Sequence, residues 1–288
     1  MLYVTQRTNR HIVKSLDSSS VPAIYSSHFG EFGVPGNDTT HLAFPWGVAI
    51  DPTSHDVFVC DTKNQKIVRL DSSLNFISSY STTFTIGTPY SILFDSTNNC
   101  LYVTGVWGNL WVRIEKLSLT LTSEIISPNL HPMKDMYFRP TGICRGFDPG
   151  TFLISGTNLN LFETTETTNF SQFIDRSIHG EVSTWPKVHN TVTYNSIIKH
   201  TDGNVYVNNG KKILRFNSSF VNIGDSDVIA KSIIGLRQGK SGSILTYAID
   251  TQTVKRYDNN LNFIEDVYID TDDTVQNDAY EIMDFAEI

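Results

Sequence analysis

The segment from Phe44 to Tyr80, FPWGVAIDPTSHDVFVCDTKNQKIVRLDSSLNFISSY, decides the fold. It reads as a run of short strands separated by turns. An apolar stretch from Pro45 to Asp51 comes first, then the β-rich triplet Val57-Phe58-Val59. A polar turn leads to a strand from Ile67 to Asp71, and a short turn to another from Leu74 to Tyr80. β-branched and aromatic residues fill the runs, while Pro, Gly and Asp punctuate them. Helical periodicity is absent.

The same order recurs along the chain. Copies are LYVTQRTNRHIVKSLDSSSVPAIYSS, LYVTGVWGNLWVRIEKLSLTLTSEII, FLISGTNLNLFETTETTNFSQFIDRS, VYVNNGKKILRFNSSFVNIGDS and ILTYAIDTQTVKRYDNNLNFIEDVYI. With the opening copy, the six begin at 2, 57, 101, 152, 205 and 244. The uneven spacing describes a constant strand core with loops of variable length. Each copy after the first is preceded by one more short strand: PWGVAID, PYSILFD, PTGICRGFD, YNSIIKH and KSIIGLRQ. The first copy has none before it, but AYEIMDFAEI (279–288) follows the sixth with nothing after it.

The C-terminal strand is therefore expected to complete the N-terminal blade. The reading is all-β: one six-bladed β-propeller of four-stranded blades, closed without free edges in the ring. The expected blades are 1–28 plus 279–288, then about 44–81, 87–127, 137–177, 191–226 and 229–270. A β-sandwich also uses short, regularly spaced strands, but the repeat split between the two ends explains a ring and not a sandwich.

The formal charge of −8 is concentrated. Glu265 to Glu287 holds nine acidic residues and no Lys, Arg or His; elsewhere 22 basic residues face 21 acidic ones. No basic stripe suggests nucleic acid. If the ends share a blade, Arg7, Arg10, His11 and Lys14 are expected to oppose the acidic closing segment. No run approaches a membrane span, and MLYVTQRTNR has no signal-peptide pattern, so the expectation is a cytoplasmic protein or part of a viral particle. Cys60, Cys100 and Cys144 are odd in number and widely spaced, without a CxxC pair; they read as small buried thiols.

The stretch from Phe29 to Tyr80 resembles an NHL repeat. The matching pieces are Phe29-Gly30-Glu31-Phe32-Gly33, then Phe44 to Asp51, Val57 to Thr62, and Asn64-Gln65-Lys66-Ile67. The first blade matches in part (TNRHIVKSLD), and the others keep only the strand order. The resemblance implies a six-bladed propeller, in agreement with the repeat count. Relatives of this kind include protein-binding and RNA-binding modules, lactonases and a zinc-dependent lyase, so the fold leaves function open. His41 resembles one of the three histidines such a lyase carries, but the other blades offer Tyr90, Thr141, Asn195 and Ser232. Lactonases hold calcium with Glu, Asn and Asp at the channel; here the strand openings offer Trp46, Tyr90, Arg139 and Asn195. The expectation is no metal and no cofactor. The acidic segment from Asp270 to Asp278 lacks the Gly and final Glu of an EF-hand loop and reads as solvated.

The candidate binding residues are Trp46, Tyr90, Trp107, Trp111, Arg139 and Trp185. Trp107 and Trp111 flank one turn, and Trp185 lies in a long inter-blade connection. Exposed aromatics on such loops anchor partners, and the same residues also serve as inter-blade packing. The resulting reading is a non-catalytic propeller that binds a protein or joins a larger assembly, without nucleic acid or membrane. A metal-dependent enzyme and a glycan-binding propeller remain the alternatives.

Overall fold

The computed structural model describes residues 1–7, 10–108, 111–128, 139–156, 161–166, 173–175, 196–230, 233–269 and 282–287. Strands β1 (Leu2–Gln6), β2 (Ile12–Asp17) and β3 (Ile24–Phe29) open blade 1. Blade 2 is β4 (Pro45–Ile50), β5 (Val57–Asp61), β6 (Lys66–Leu70) and β7 (Phe76–Ser81). Blade 3 is β8 (Thr88–Asp95), β9 (Cys100–Trp107), β10 (Trp111–Ser118) and β11 (Ser123–Ile126). Blade 4 is β12 (Pro140–Arg145), β13 (Thr151–Gly156), β14 (Leu161–Thr165) and β15 (Phe173–Asp175). Blade 5 is β16 (Ile197–Lys199), β17 (Val205–Asn208), β18 (Ile213–Phe216) and β19 (Asn222–Asp225). Blade 6 is β20 (Ile233–Gln238), β21 (Ile244–Ala248), β22 (Thr253–Tyr257) and β23 (Phe263–Ile269). The last strand, β24 (Ile282–Glu287), pairs antiparallel with β1, so the sheet order of blade 1 is β24-β1-β2-β3.

Strands β24, β4, β8, β12, β16 and β20 touch one another in a closed circle and line the axis. They define two rims. On the leading rim these inner strands begin; on the trailing rim they end.

The apolar triplets work by alternation. Side chains along a strand point to opposite faces. Val57 and Val59 pack toward blade 1, whereas Phe58 and Cys60 pack toward blade 3. Likewise Leu101 and Val103 meet blade 2 while Tyr102 meets blade 4, and Val205 and Val207 meet blade 4 while Tyr206 meets blade 6. Burial on both faces is why these strands read as continuous apolar runs. The core is accordingly six wedges between blades. Burying one such Val, Leu or Phe contributes roughly 1.5–3 kcal/mol over leaving it exposed.

Polar groups of one blade reach the next. The Tyr3 hydroxyl donates to Ser72 O (3.0 Å), and the Tyr206 hydroxyl lies 2.8 Å from Asn259 O of blade 6 and 2.7 Å from Asp202 Oδ2 of its own blade, sharing its one proton between them. Tyr102 donates to Glu166 Oε2 (2.8 Å). Thr5 Oγ1 donates to Trp46 O (2.5 Å), Thr104 Oγ1 to Pro140 O (3.3 Å), and Asn208 Nδ2 to Gly235 O (3.2 Å). The axial seam is tight at Gly47, where a Cβ would stand 2.7 Å from Tyr90 O and 3.1 Å from Ser91 Cα.

Ring closure differs in one respect from the sequence expectation. The described acids of β24 are held by blade 6, the neighbour on the other side. Asp284 pairs with Arg237 and also accepts the Val48 N–H of blade 2 (3.1 Å). Glu287 pairs with Arg256 (2.9 Å). The physical reason is depth: β24 is innermost, so its carboxylates face the adjacent inner wedges. Arg7 and Arg10 instead lie over aromatic rings. The three cysteines are free and buried, and burial raises their thiols, Cys100 to about 11 and Cys144 to about 12. Such thiols are inert packing groups at neutral pH.

Candidate binding rim

The leading rim across blades 1 to 4 gathers aromatic rings and cations from loops far apart in the chain. Phe44 precedes β4 and is held by two local bonds. Ala43 N–H donates to Asp61 Oδ1 (2.7 Å), and Phe44 N–H donates to His11 Nδ1 (3.3 Å). These bonds place Phe44 at φ 52° and His11 at φ 57°, both in the left-handed region that non-glycine residues enter at a cost. Arg7 follows β1, and Lys63 sits in the β5–β6 turn, the corresponding turn of the next blade.

The geometry is a row. The Arg7 guanidinium lies 5.4 Å from the Phe44 ring centre and 4.8 Å from that of Trp46. Lys63 Nζ lies 5.0 Å from the Phe44 centre, and the His11 ring meets Phe44 edge-on at 4.8 Å. Trp46 meets Tyr90 edge-on at 5.2 Å, and the Arg139 guanidinium lies 5.8 Å from the Tyr90 centre. Each such cation–ring contact contributes roughly 0.5–1 kcal/mol at a partly exposed site. Burial and the nearby Lys63 charge lower the His11 pKa, favouring the neutral imidazole.

The loop after β3 borders this row. His41 Nδ1 contacts Asp38 Oδ1 at 2.8 Å, and Nε2 contacts Glu31 Oε2 at 3.0 Å. These hydrogen bonds raise the His41 pKa, and the same bond with those from Thr40 depresses Asp38. Asn64 Nδ2 donates to Gly36 O (2.6 Å) and Asp61 Oδ2 (2.7 Å), and Lys66 Nζ lies 3.6 Å from Asp61. Burial pushes the Asp61 carboxyl up to about 6.

Trp46, Tyr90 and Arg139 are brought together by the fold. Trp46 is only 2% exposed, so it is the packing member of the row, while Tyr90 and Arg139 are half-buried. Trp107 and Trp111 are paired across β9 and β10 on the same rim. The Arg113 guanidinium lies 4.5 Å from the Trp107 ring centre and donates to Thr85 O (2.6 Å). Trp185 and the segment from Asp270 to Asp278 lie outside the described residues. Sequence reasoning missed Arg7, Phe44 and Lys63 as site members. Their signal was positional: QRTNRHI and DTKNQKI occupy equivalent turns of consecutive blades, with a cation second in the one (Arg7) and third in the other (Lys63).

The metals implied by the NHL resemblance do not fit the donors present. Both His41 nitrogens are occupied by carboxylates of its own loop, and the described strand openings of blades 2 to 4 hold Trp46, Tyr90 and Arg139. Among the described residues no group of three or more His, Cys, Asp or Glu side chains is arranged for a metal ion. The trailing rim has an open cleft of about 650 Å³ between blades 5 and 6. Its charged groups are engaged internally: Arg256 with Glu265 and Glu287, both at 2.9 Å, and His200 with Gly242 O (2.6 Å) and Asp202 (3.1 Å).

Comparison with known proteins bears on the fold. No curated protein sequence matches the chain. A nidogen–laminin complex contains a chain similar to it at TM-score 0.66 and 12% identity, covering 99% of this chain and 96% of that one. A streptogramin B lyase is similar at TM-score 0.57 and 17% identity, covering 79% and 69%. A catalytically inactive virginiamycin B lyase from Staphylococcus aureus with quinupristin is similar at TM-score 0.58 and 15% identity, covering 94% and 89%. At these identities the likeness concerns architecture alone. The NHL repeat family profile matches residues 42–70, the second-blade stretch that carries Phe44, Asp61 and Lys63. The chain thus carries an NHL repeat within a six-bladed β-propeller.

Proposed function

We propose that this propeller is a non-catalytic binding module that receives a protein partner on its leading rim, across blades 1 to 4. The observation that carries the reading is the row of Phe44, Trp46 and Tyr90 flanked by Arg7, Lys63 and Arg139. Tyr, Trp and Arg dominate the energetics of protein interfaces because they bury large surfaces at small entropy cost. Phe84 adds an apolar contact: it is 85% exposed in the β7–β8 connection of the same rim. The lyases among the structural neighbours support the architecture and carry no activity to this chain.

A photo-reactive residue placed at position 84 is expected to cross-link the partner, whereas one at Ile77, on the outer edge strand β7, is not. With that partner in hand, Tyr90→Ala is expected to weaken binding by about tenfold or more, the scale of an interface anchor. Asp258→Ala, on the trailing rim, is expected to leave affinity unchanged. Cross-linking only from position 77, or equal losses from both substitutions, overturns the reading.

A further inference from the structure

We infer that Arg7 and Lys63, with Phe44 between blades 1 and 2, form a carboxylate-binding subsite for an acidic side chain of that partner. The inference rests on the rim reading above and adds the chemistry the partner must present there.

Three observations lead to it. First, two cations converge on one ring: Arg7 Cζ lies 5.4 Å and Lys63 Nζ 5.0 Å from the Phe44 centre. Second, neither cation is paired with a carboxylate among the described residues, although acids stand close by. Those acids are committed elsewhere. Glu31 and Asp38 hold His41, while Asp61 accepts from Ala43 N–H and Asn64 and faces Lys66. Third, the fold maintains strain to keep the arrangement, since His11 and Phe44 both sit at positive φ, joined by the Phe44 N–H to His11 Nδ1 bond. The neutral His11 beside Lys63 adds no competing charge.

The chemistry favours a carboxylate. A guanidinium lying over a ring offers in-plane N–H donors to a bidentate acceptor, and an ammonium over the same ring adds a point charge. Two cations match one or two carboxylates. A polyanion needs many, and this chain carries a net charge of −8 with the exposed acids Glu31 and Asp38 bordering the site. The fitting occupant is therefore an Asp or Glu of a protein segment whose neighbouring apolar group covers Phe44.

The test uses the intact chain and three probes: a capped Gly-Asp-Gly tripeptide, its Gly-Asn-Gly counterpart and inorganic phosphate. Side-chain NMR resonances of Arg7 Nε and Lys63 Nζ report binding. The aspartyl peptide is expected to shift both saturably, and the asparaginyl peptide to bind about tenfold or more weakly, the difference between a charge-assisted and a neutral contact. Arg7→Gln and Lys63→Gln are each expected to abolish the titration while lowering the unfolding temperature only slightly; Lys63 is exposed and makes one ring contact, so its variant keeps the test valid if the Arg7 variant is less stable. Equal binding of the two peptides overturns the subsite. So does an undiminished titration in the variants, or phosphate binding about tenfold tighter than the aspartyl peptide, the mark of a general oxyanion site. Partner binding that needs Tyr90 but survives both Gln variants overturns the subsite and spares the rim reading. An intact aspartyl titration with no dependence on Tyr90 overturns the rim reading alone.

Discussion

The turns of the trailing rim and the Arg7–Phe44–Lys63 cluster of the leading rim use polar residues in opposite ways. On the trailing rim, acids and amides are consumed by the turns that carry them. Asp71 Oδ1 accepts from Ser73 and Asn75 N–H (2.9 and 2.8 Å). Asp258 Oδ1 repeats this with Asn260 and Asn262 (2.9 and 2.8 Å), and Asn217 with Ser219 and Val221 (3.0 Å each). Each turn then places an apolar residue at positive φ (Leu74, Leu261 or Phe220) to reverse the chain. Asp95 and Arg145 pair between blades on the same rim. On the leading rim, by contrast, Arg7 and Lys63 rest on aromatic rings and leave their charge toward solvent. The leading rim uses the capturing device elsewhere, where Asp38 Oδ1 accepts from Thr40 and His41 N–H (2.8 and 3.0 Å) and Asn209 Oδ1 from Lys211 and Lys212 N–H (3.0 and 2.7 Å), but Arg7 and Lys63 have no such acceptor among the described residues. The contrast teaches that in a repeat fold the site is marked by where a repeated polar device is missing.

Four substitutions test how separate the rims are. Asp284→Ala should be the most damaging, because it strands the Arg237 guanidinium and the Val48 N–H inside the closure. A loss of about 3–5 kcal/mol, read from urea denaturation, is the usual result of breaking a buried pair. If the loss is instead near zero, β24 does not close the ring through Asp284. Gly47→Ala comes next, at about 1–3 kcal/mol, since the new methyl group drives into the Tyr90 carbonyl and must displace β8. It should be unique in costing stability and partner affinity together, because Trp46 and Tyr90 stand on the two strands it pushes apart. Asp258→Ala should cost about 1 kcal/mol through its lost turn acceptors and nothing in affinity, which would sharpen the division between rims.

The smallest effect concerns His41. Its folded pKa is raised, so the stabilisation from its contacts with Asp38 and Glu31 is fully present below the unfolded value of 6.5 and is lost as pH rises through the higher folded value. Titration of the His41 imidazole by NMR should give an upward shift. The stability gap between the native chain and His41→Gln should shrink as pH rises from 6.5 through the raised folded value. A gap that widens over this range contradicts the assignment.

The architecture was legible because it is written in chain order. A triplet such as LYV or VFV recurs, its middle residue facing the next blade, and the unmatched final strand has a single vacancy to fill. The DSSLN and DNNLN turns were equally plain, since an Asp that captures two N–H groups needs only its four following residues. The site was half legible. Trp46, Tyr90 and Arg139 stand at repeated strand openings, so the repeat itself pointed to them. Arg7, Phe44 and Lys63 lie far apart in sequence, and the packing of blade 1 on blade 2 brings them together. The same distance misdirected the electrostatics: the acids of β24 looked toward the basic first blade by adjacency in the ladder, whereas their depth in the ring gave them to Arg237 and Arg256.

The bonds between blades have a consequence for how damage spreads. Tyr3, Thr5, Tyr102, Thr104, Tyr206 and Asn208 all reach forward, each to the blade that follows its own. These phenol, hydroxyl and amide contacts therefore share a polarity, whereas two long cations reach back a blade, Arg145 to Asp95 and Lys199 Nζ to Gly146 O (2.6 Å). An altered turn in one blade deprives the phenol of the blade behind it, while the blade ahead keeps its own acceptors. Changes that compensate a lost carbonyl acceptor should accordingly be found one blade upstream, while those that compensate a lost Arg145 or Lys199 partner should be found one blade downstream.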